Sequence, residues 1–401
     1  MLKRALAVFE SRDFRLMWAG ACLSSVGTWM QKFAQSWLVY TLSGSAWWLG
    51  LDAFLGESPI FLFALVAGAV ADRIDRRKLL IISQLVQMTC ATVLAVLFAS
   101  GHVRIWHILT LSFIVGTAQS FGAPAYQALI PSIVQRDHLP NAIAMNSIQF
   151  NLARILGPLM GGWALKNLGA SWCFGMNAAS YLAVIWSLLL IHPNFKPAPS
   201  ALGIMESMRE GIGFIRRQPA MKSLVVVAFL MTFLGIPIVV YLPVFAKTVF
   251  LGGVGMFTLL QTVEGAGAIT GALVVAIRGK KKNLGRDAVI SLTLLGLIMT
   301  GFALSSFLWL SLVLLFCGGI ALISCFATVS SLVQLVATDE MRGRVMSIYN
   351  IAFRGGMPVG SFLTGGLVDR LGVQVVVASM GGTLAAIGLY LFFIHRKVAK
   401  L

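Results

Sequence analysis

DHLPNAIAMNSIQFNLARILGP, residues 137–158, is followed roughly 200 residues later by a related stretch, DEMRGRVMSIYNIAFRGGMP, residues 339–358. Three residue types recur at matching places: Asp137 with Asp339, Arg154 with Arg354, and Pro158 with Pro358. A long chain that repeats itself once is built from two similar halves, and such half-repeats are typical of secondary transporters. The repeat therefore predicts two halves with a central site.

The composition around these stretches is that of a membrane protein. Of the 401 residues, 58% are hydrophobic and 11% are charged, and the mean hydropathy is +0.87. A soluble domain has about 45–50% apolar and about 25% charged residues, so a soluble globular enzyme is excluded. A spanning helix needs about 20 mainly apolar residues, and the chain is long enough for twelve such helices with loops.

The apolar runs predict an all-α membrane protein with twelve transmembrane helices in two pseudo-symmetric six-helix bundles. Residues 1–192 are expected to form the N-terminal bundle, residues 193–220 a cytoplasmic linker, and residues 221–401 the C-terminal bundle. The linker contains an amphipathic segment, Leu202–Arg217, which is expected to lie along the membrane surface. The predicted helices cover residues 14–40, 46–71, 79–100, 104–130, 139–165, 170–192, 221–249, 254–278, 287–305, 307–337, 341–368 and 373–394.

The net charge of +17 does not indicate a nucleic-acid partner, because the basic residues stand in short clusters between apolar runs. An even number of helices places both termini on the same side of the membrane. Most of the Lys and Arg outside the helices lie on that side too. The opposite side has only Arg104, Lys166, Lys247 and Arg370, each at or near the end of a predicted helix. The positive-inside rule then places both termini in the cytoplasm. The sequence predicts an integral multi-pass protein of the bacterial cytoplasmic (inner) membrane.

No residue pattern indicates an enzyme, a metal site or a cofactor. The five cysteines and five histidines are scattered and form no ligand cluster, and the spans hold no nucleophile with a neighbouring base. The phosphate-binding pattern Gly-x-x-x-x-Gly-Lys-Ser/Thr does not occur, so ATP is not expected to supply energy.

The stretch GAVADRIDRRK, residues 68–78, resembles the cytoplasmic motif A of the major facilitator superfamily, Gly-x-x-x-Asp-Arg-x-Gly-Arg-Arg. The matching residues are Gly68, Asp72, Arg73, Arg76 and Arg77, whereas Asp75 stands where many members have Gly. The counterpart in the second half, GALVVAIRGKKK from Gly271, keeps the Gly and the basic residues but lacks the Asp. The stretch GPLMGG, residues 157–162, is similar to the core of the antiporter motif C, without its upstream glycines.

Two longer stretches, FRLMWAGACLSSVGTWMQKFAQSWLVYTLSGS (14–45) and MSIYNIAFRGGMPVGSFLTGG (346–366), narrow this resemblance. They are similar to the drug:proton antiporter-3 branch, with its macrolide-efflux and enterobactin-exporter relatives. The resemblance implies a secondary active transporter that exports a small amphipathic organic compound (a drug, siderophore or related metabolite) by proton antiport through alternating access. An importer or facilitator of the same fold, a lipid translocator, and a sensor or scaffold without transport remain alternatives.

The partners that the resemblance implies are a small-molecule substrate, protons and membrane lipid, and the chain is expected to act as a monomer. Motif A further implies a conformational latch made by Gly68, Asp72, Arg73, Arg76 and Arg77. The Asp72 carboxylate can meet a helix N-terminus or an Arg of the other half, near Arg342–Arg344. The alternative is a basic loop that only sets the membrane topology.

Charged residues inside spans are costly and therefore indicate function. The predicted spans contain four such residues near their centres: Glu57, Arg154, Glu264 and Arg354. By the architecture of the family, Glu57 would reach Arg354, and Glu264 would reach Arg154, as two charge pairs across the bundles. An acid that faces an Arg can also carry the coupling proton. The alternatives are static packing pairs, or Arg side chains bound to helix carbonyls.

Lys32 has two candidate partners in the next predicted helix. Counted from the turn at Ser43 at 1.5 Å per residue, Lys32 lies about 16 Å deep, Asp52 about 13 Å and Glu57 about 21 Å. Asp52 and Glu57 are about 140° apart around the helix, so only one of them can face the cavity with Lys32. Glu57 is favoured as the proton-linked carboxylate, and Asp52 is the alternative.

Polar and aromatic neighbours of these charges are candidates for the wall of a substrate cavity. The alternative assigns the Trp to the membrane interface and the amides to interhelical hydrogen bonds. The basic side chains among the candidates are also compatible with an anionic substrate. The cavity candidates are Trp29, Gln31, Gln35, Asn146, Gln149, Asn151, Gln261, Tyr349 and Asn350, and the residues expected to bend or closely pack helices are Gly157, Pro158, Gly161, Gly162 and Pro358.

Overall fold

The structure is a computed structural model that describes residues 7–63, 66–67, 70, 74–191, 204–278 and 283–393. All regular elements in these ranges are helical. The long helices are α1 (Arg12–Ser43), α2 (Ala46–Leu62), α3 (Arg76–Ala99), α4 (Ile105–Ile133), α5 (Leu139–Asn167), α6 (Ala170–Leu190), α7 (Ile204–Arg217), α8 (Pro219–Val249), α9 (Val254–Arg278), α10 (Leu284–Leu304), α11 (Leu308–Val336), α12 (Arg342–Leu371) and α13 (Val373–Phe393).

Eight of the described helices are long and apolar enough to cross a membrane: α3, α4, α6, α8, α9, α10, α11 and α13. Helices α1, α5 and α12 have 32, 29 and 30 residues, but they contain too many polar or charged residues to count among these eight. These three helices carry Lys32, Arg154 and Arg354. Polar spans are expected to face protein rather than lipid, because lipid cannot solvate their side chains.

The chain divides into two compact units. One unit comprises Met1–Leu42 and Leu55–Ala201, and the other comprises Ser43–Phe54 and Leu202–Leu401. Helix α2 is therefore divided between them at Phe54.

Small residues set the helix contacts of the first unit. A Cβ on Gly157 of α5 would lie 2.9 Å from the backbone nitrogen of Met30 in α1, and one on Gly161 would lie 2.9 Å from the Phe33 ring. Backbones can approach this closely only where one helix presents glycine. Near the beginning of α1, the buried Phe14 packs in an apolar cluster with residues of α3, α4 and α6.

Asp75, the residue that departs from motif A, is the N-cap of α3. Its carboxylate accepts hydrogen bonds from the backbone nitrogens of Arg77, at 2.9 Å, and Lys78, at 3.4 Å. Two of the N–H groups that have no partner inside the helix are thereby satisfied, and the negative charge lies at the positive end of the helix dipole.

Asp75→Ala is therefore expected to destabilise the protein by about 1 kcal/mol, the typical value of an N-cap. The measurement is the thermal unfolding midpoint of the purified protein in detergent. Asp75→Ser, which retains an acceptor oxygen, should stay close to the wild type. An equal loss in both variants would mean that the charge matters rather than the cap.

Helix α8 is interrupted by two π-helical segments, Met231–Gly235 and Phe245–Val249. Pro237 explains the first π segment, and Pro243 explains the further break at Tyr241 between the two segments. Each proline lacks a backbone N–H, and its ring clashes with the carbonyl four residues earlier, so the regular hydrogen-bond ladder cannot continue. In contrast, α4, α5 and α12 continue through Pro124, Pro131, Pro158 and Pro358 as α-helix.

Close backbone contacts also organise the second unit. A Cβ on Gly381 of α13 would lie 2.7 Å from the Gly296 carbonyl oxygen of α10, and one on Gly319 of α11 would lie 2.5 Å from the Glu264 carbonyl oxygen of α9. On α12, Gly356 and Gly360 lie against the first π segment of α8. Their Cβ atoms would come within 2.9 Å of Phe233 backbone atoms.

The amphipathic helix α7 packs on the beginning of α12. Gly211 lies against Ile348 and the Arg344 backbone, and the Arg344 guanidinium forms an ion pair with Glu210. Arg209, Arg216 and Arg217 are exposed. The remainder of the predicted linker, residues 193–203, lies outside the described residues.

Candidate functional site

Lys32 and Glu57 form an ion pair between α1 and α2 in the first unit. Lys32 Nζ donates to Glu57 Oε1 at 2.8 Å. The side chains are 46% and 29% exposed, so water or a ligand can reach both. Two charges at this distance stabilise each other most when both are ionised, and a proton on Glu57 cancels the attraction. The pair is therefore suited to couple protonation to a change in contacts.

Buried polar side chains lie beside this pair, and sequence reasoning found only some of them. Gln35 Nε2 donates to Ser112 Oγ of α4 at 2.8 Å, and Gln31 Oε1 accepts from Asn177 Nδ2 of α6 at 2.6 Å. The Gln31 side chain thus joins α1 to α6, and its place in a cavity wall stays a prediction.

One turn nearer the beginning of α1, Thr28 lies 3.4 Å from the Tyr181 hydroxyl, which donates to Gln87 Oε1 at 3.3 Å. Tyr181 and Gln87 are buried. Together with Asn177, these residues were missed because no charge or motif marks them, and their convergence depends on helix packing. Buried polar groups need such partners.

Trp29 and Arg154 are neighbours in the first unit. The Arg154 guanidinium carbon lies 6.0 Å from the centre of the Trp29 ring, and the same ring meets Phe150 edge-on at 5.7 Å. An aromatic face attracts a cation at this distance. An aromatic surface beside a positive charge can bind a planar or anionic organic group.

The three polar residues that precede Arg154 have different surroundings. Gln149 is buried, and its Nε2 donates to the Ala21 carbonyl at 2.8 Å and to Ser25 Oγ at 2.6 Å. Asn146 accepts from the Tyr126 hydroxyl at 3.1 Å, and Asn151 donates to the Ser147 carbonyl of its own helix. Gln149 and Asn146 therefore join helices of the first unit.

Glu264 is the one charged residue among those that line a small cavity described in the second unit. The residue is 3% exposed. The wall is otherwise apolar, with Gly235, Ile238, Val239, Leu295, Ile298, Met299, Phe302, Leu314, Leu315, Gly318, Gly319 and Leu322 from α8, α10 and α11. Glu264 is thus a buried carboxylate in a mainly apolar wall, and its part in proton exchange stays a prediction.

The other predicted cavity residues of the second unit are spread over α9 and α12. Gln261 is half-buried one turn before Glu264, and its Oε1 is buried without a hydrogen-bond partner among the described residues. Tyr349 is 1% exposed and its ring stacks on Phe353, whereas Asn350 and Arg354 are exposed. Asp52 is half-buried on α2.

The predicted charge pairs Glu57 with Arg354 and Glu264 with Arg154 each join a residue of one unit to a residue of the other. They stay predictions. Of the latch residues, Gly68, Asp72 and Arg73 lie outside the described residues. Arg76 Nη1 donates to the Ala128 carbonyl at 3.0 Å, and Arg77 Nη2 donates to the Leu189 carbonyl at 2.7 Å. These two arginines thus bind the ends of α4 and α6.

The glycines of the predicted bending segments, Gly157 and Gly161, face α1 as described above. Pro158, Gly162 and Pro358 are buried within continuous helices. Among the described residues, no group of three or more His, Cys, Asp or Glu is arranged to hold a metal ion.

The similarity to known proteins extends over nearly the whole chain. The model of a family described as transmembrane secretion effectors matches residues 3–400. Three curated relatives of similar length illustrate the range. The chain is 25% identical over 390 residues to the staphyloferrin A transporter of Staphylococcus aureus, with 96% of each chain covered. It is 23% identical over 375 residues to macrolide efflux protein A of Streptococcus pyogenes, with 90% of each covered. It is also 25% identical over 396 residues to the enterobactin exporter EntS of Shigella boydii, with 96% of this chain and 92% of the relative covered.

Solved structures support the same fold at lower identity. A transporter of the POT family, crystallised with 5-aminolevulinic acid, superposes with a TM-score of 0.76. The two chains are 12% identical, and 97% of each is covered. The agreement extends over the helices that carry the residues described above.

Proposed function

The chain belongs to the transmembrane secretion effectors, a family of major facilitator transporters, and on this premise we propose that it exports a small amphipathic organic compound in exchange for protons. The family and its relatives confirm the predicted resemblance and the prediction of a transporter rather than an enzyme. Export, proton coupling and the class of compound are the proposed steps beyond that.

The functions of the relatives support export of organic compounds. They include efflux of macrolides, transport of staphyloferrin A and export of enterobactin. These substrates differ widely, and the compound proposed for this chain is small, organic and amphipathic. The aromatic surface at Trp29 beside Arg154 suits a compound with a planar part and an acceptor or anionic group.

The observation that carries the proposal is the ion pair of Lys32 and Glu57. Glu57 holds the coupling proton in one state of the cycle and pairs with Lys32 in the other. Protonation removes the charge of Glu57, releases the Lys32 ammonium and changes what each side chain attracts. Substrate and proton then favour different states, which is the requirement for exchange by alternating access. Glu264 in its apolar cavity, or Asp52, is the second candidate for the proton.

The architecture that goes with this proposal has twelve spans in two six-helix bundles, residues 1–192 and 221–401, joined by the linker 193–220. Both termini face the cytoplasm of a bacterial cell, and the protein works as a monomer in its inner membrane. The Asp72 latch acts on the cytoplasmic side.

The test is substrate-driven proton movement in energised everted membrane vesicles. Dyes, macrolides and catecholate siderophores are added in turn, and proton release from the vesicle lumen is followed with a pH-sensitive fluorophore. We expect one class of compound to trigger release with the wild type, and we expect Glu57→Gln to lose the response.

Glu340→Gln is the matched control, because this carboxylate is exposed just before the beginning of α12 and has no part in the proposed coupling. Its response should equal that of the wild type. A response that survives in Glu57→Gln moves the coupling to Glu264 or Asp52. Silence of the inserted wild type with every compound, together with uptake of one of them, would replace export by import.

A further inference from the structure

The end of α12 meets the beginning of α2 inside the second unit. The Asp369 carboxylate accepts hydrogen bonds from the backbone nitrogens of Ala46, at 2.6 Å, and Trp47, at 3.2 Å, and from the Ser45 hydroxyl. Ser45, Ala46 and Trp47 are the N-cap and the first two residues of α2. A carboxylate of another helix thus caps α2, and Asp369 was not singled out by sequence reasoning.

The cap satisfies groups that have no partner within α2. The first N–H groups of a helix cannot bond inside it, and their partial positive charge favours an anion. Hydrogen bonds to a carboxylate are stronger than those to a neutral acceptor. Asp369 itself is exposed, so the contact lies at a rim that solvent reaches.

A tight seam continues from the cap along the two helices. A Cβ on Gly365 would lie 2.9 Å from the Ala46 carbonyl oxygen, and one on Gly50 would lie 3.0 Å from the Ser361 carbonyl carbon. Farther along, Phe362 packs against Phe54, with ring centres 5.2 Å apart. Backbone contact at glycines excludes water and substrate from this seam.

Helix α2 is shared between the two compact units. Residues up to Phe54 belong to the second unit, and those from Leu55 onwards belong to the first. A single helix cannot follow both units when they move apart. The hydrogen bonds at Asp369 join two helices through one side chain, so they break more easily than the helix itself.

We propose that Asp369 is a latch that closes the outer side of the transporter, the side opposite the termini, and that it opens once in each cycle. This inference rests on alternating access and on the orientation in the proposed function. It mirrors the latch predicted at Asp72. There, the resemblance implies that an acid near the end of the predicted helix 46–71 meets the beginning of the predicted helix 341–368, whereas here an acid near the end of α12 caps the beginning of α2.

The experiment measures how often the seam opens, with Ser361→Cys as the reporter substitution. Ser361 is 0% exposed, and its hydroxyl has no hydrogen-bond partner among the described residues, so Ser361→Cys changes little. The five native cysteines are replaced by alanine. Right-side-out vesicles are treated with a membrane-impermeant maleimide, and the labelling rate of the thiol introduced by Ser361→Cys is compared between variants.

Asp369→Ala should increase the labelling rate about tenfold, since several charge-assisted hydrogen bonds are lost. Ala46→Pro should give a smaller increase in the same direction. Proline is well tolerated at the first position of a helix, yet it removes one N–H that Asp369 binds. Glu340→Ala, at an exposed carboxylate just before the beginning of α12, is the control and should label like the parent.

Equal labelling rates in the parent, Asp369→Ala and Ala46→Pro would overturn the proposal. An increase in Asp369→Ala without one in Ala46→Pro would also overturn it, because the carboxylate would then act elsewhere than on α2. Thermal unfolding midpoints of the variants show whether labelling reflects opening or unfolding. The maleimide labelling rate depends on neither proton movement nor a known substrate. A failure to detect proton antiport in vesicles would therefore not change the labelling result.

Discussion

A chain with Lys32→Ala is expected to export its substrate at about one tenth of the wild-type rate or less, although it should fold. A charge-assisted hydrogen bond is worth about 1.5–3 kcal/mol, which corresponds to a factor of about 10–100 in an equilibrium. The lower end applies here, since the Lys32 and Glu57 side chains are 46% and 29% exposed and partly screened by water. Transport is assayed by efflux of the compound identified in the vesicle experiment.

The double variant Lys32→Ala/Glu57→Gln decides whether the two side chains act together. If Lys32 works through Glu57, the double variant should be no worse than Glu57→Gln alone, because coupled residues are not additive. Lys166→Ala is the matched control, an exposed lysine in the last turn of α5, and it should leave efflux unchanged. Fully additive losses would assign Lys32 a role that is independent of Glu57.

Gly360→Ala should lower the thermal unfolding midpoint in detergent by several degrees. The added Cβ would overlap the Phe233 carbonyl oxygen and lie 2.9 Å from its carbonyl carbon. The neighbour is backbone within a π segment, so no side-chain rotation can relieve the clash, and overpacking of this kind costs about 1–3 kcal/mol.

Gly382→Ala provides the matched comparison, since nothing lies within 4 Å of the position where its Cβ would be. Alanine there should stabilise α13 by about 0.5–1 kcal/mol, because glycine loses more backbone entropy in a helix. Similar midpoints for the two variants would mean that α12 and α8 can move apart at little cost.

Much of the helical structure follows from the sequence, because apolar runs of spanning length are long and well separated. The predicted helix 254–278 coincides with α9, and 139–165 differs from α5 by two residues at its end. The prediction for 221–249 missed the π segments of α8. Prolines indicate that the hydrogen bonding of a helix is interrupted. Whether the backbone kinks or changes its hydrogen-bond register depends on the packing around it.

The candidate site was predictable where depth along the helices determines it. Counting residues from the turn at Ser43 made Glu57 a possible partner for Lys32, and the structure brings the two together. The hydrogen bond between Gln31 and Asn177 could not be predicted, because the sequence of a helix does not show which neighbouring helix each of its faces contacts. Asp369 was missed for a related reason: a cap supplied by another helix leaves no local capping pattern.

The glycine contacts of α5 on α1 and of α12 on α8 have a consequence for the sequence variation that each unit tolerates. Trp29, Met30 and Phe33 meet Gly157 and Gly161, while Phe229, Thr232 and Phe233 meet Gly356 and Gly360. A close backbone contact of this kind depends on the glycines and much less on the side chains around them. The same kind of helix contact therefore supports an ion pair and buried amides in the first unit and a mainly apolar cavity beside Glu264 in the second.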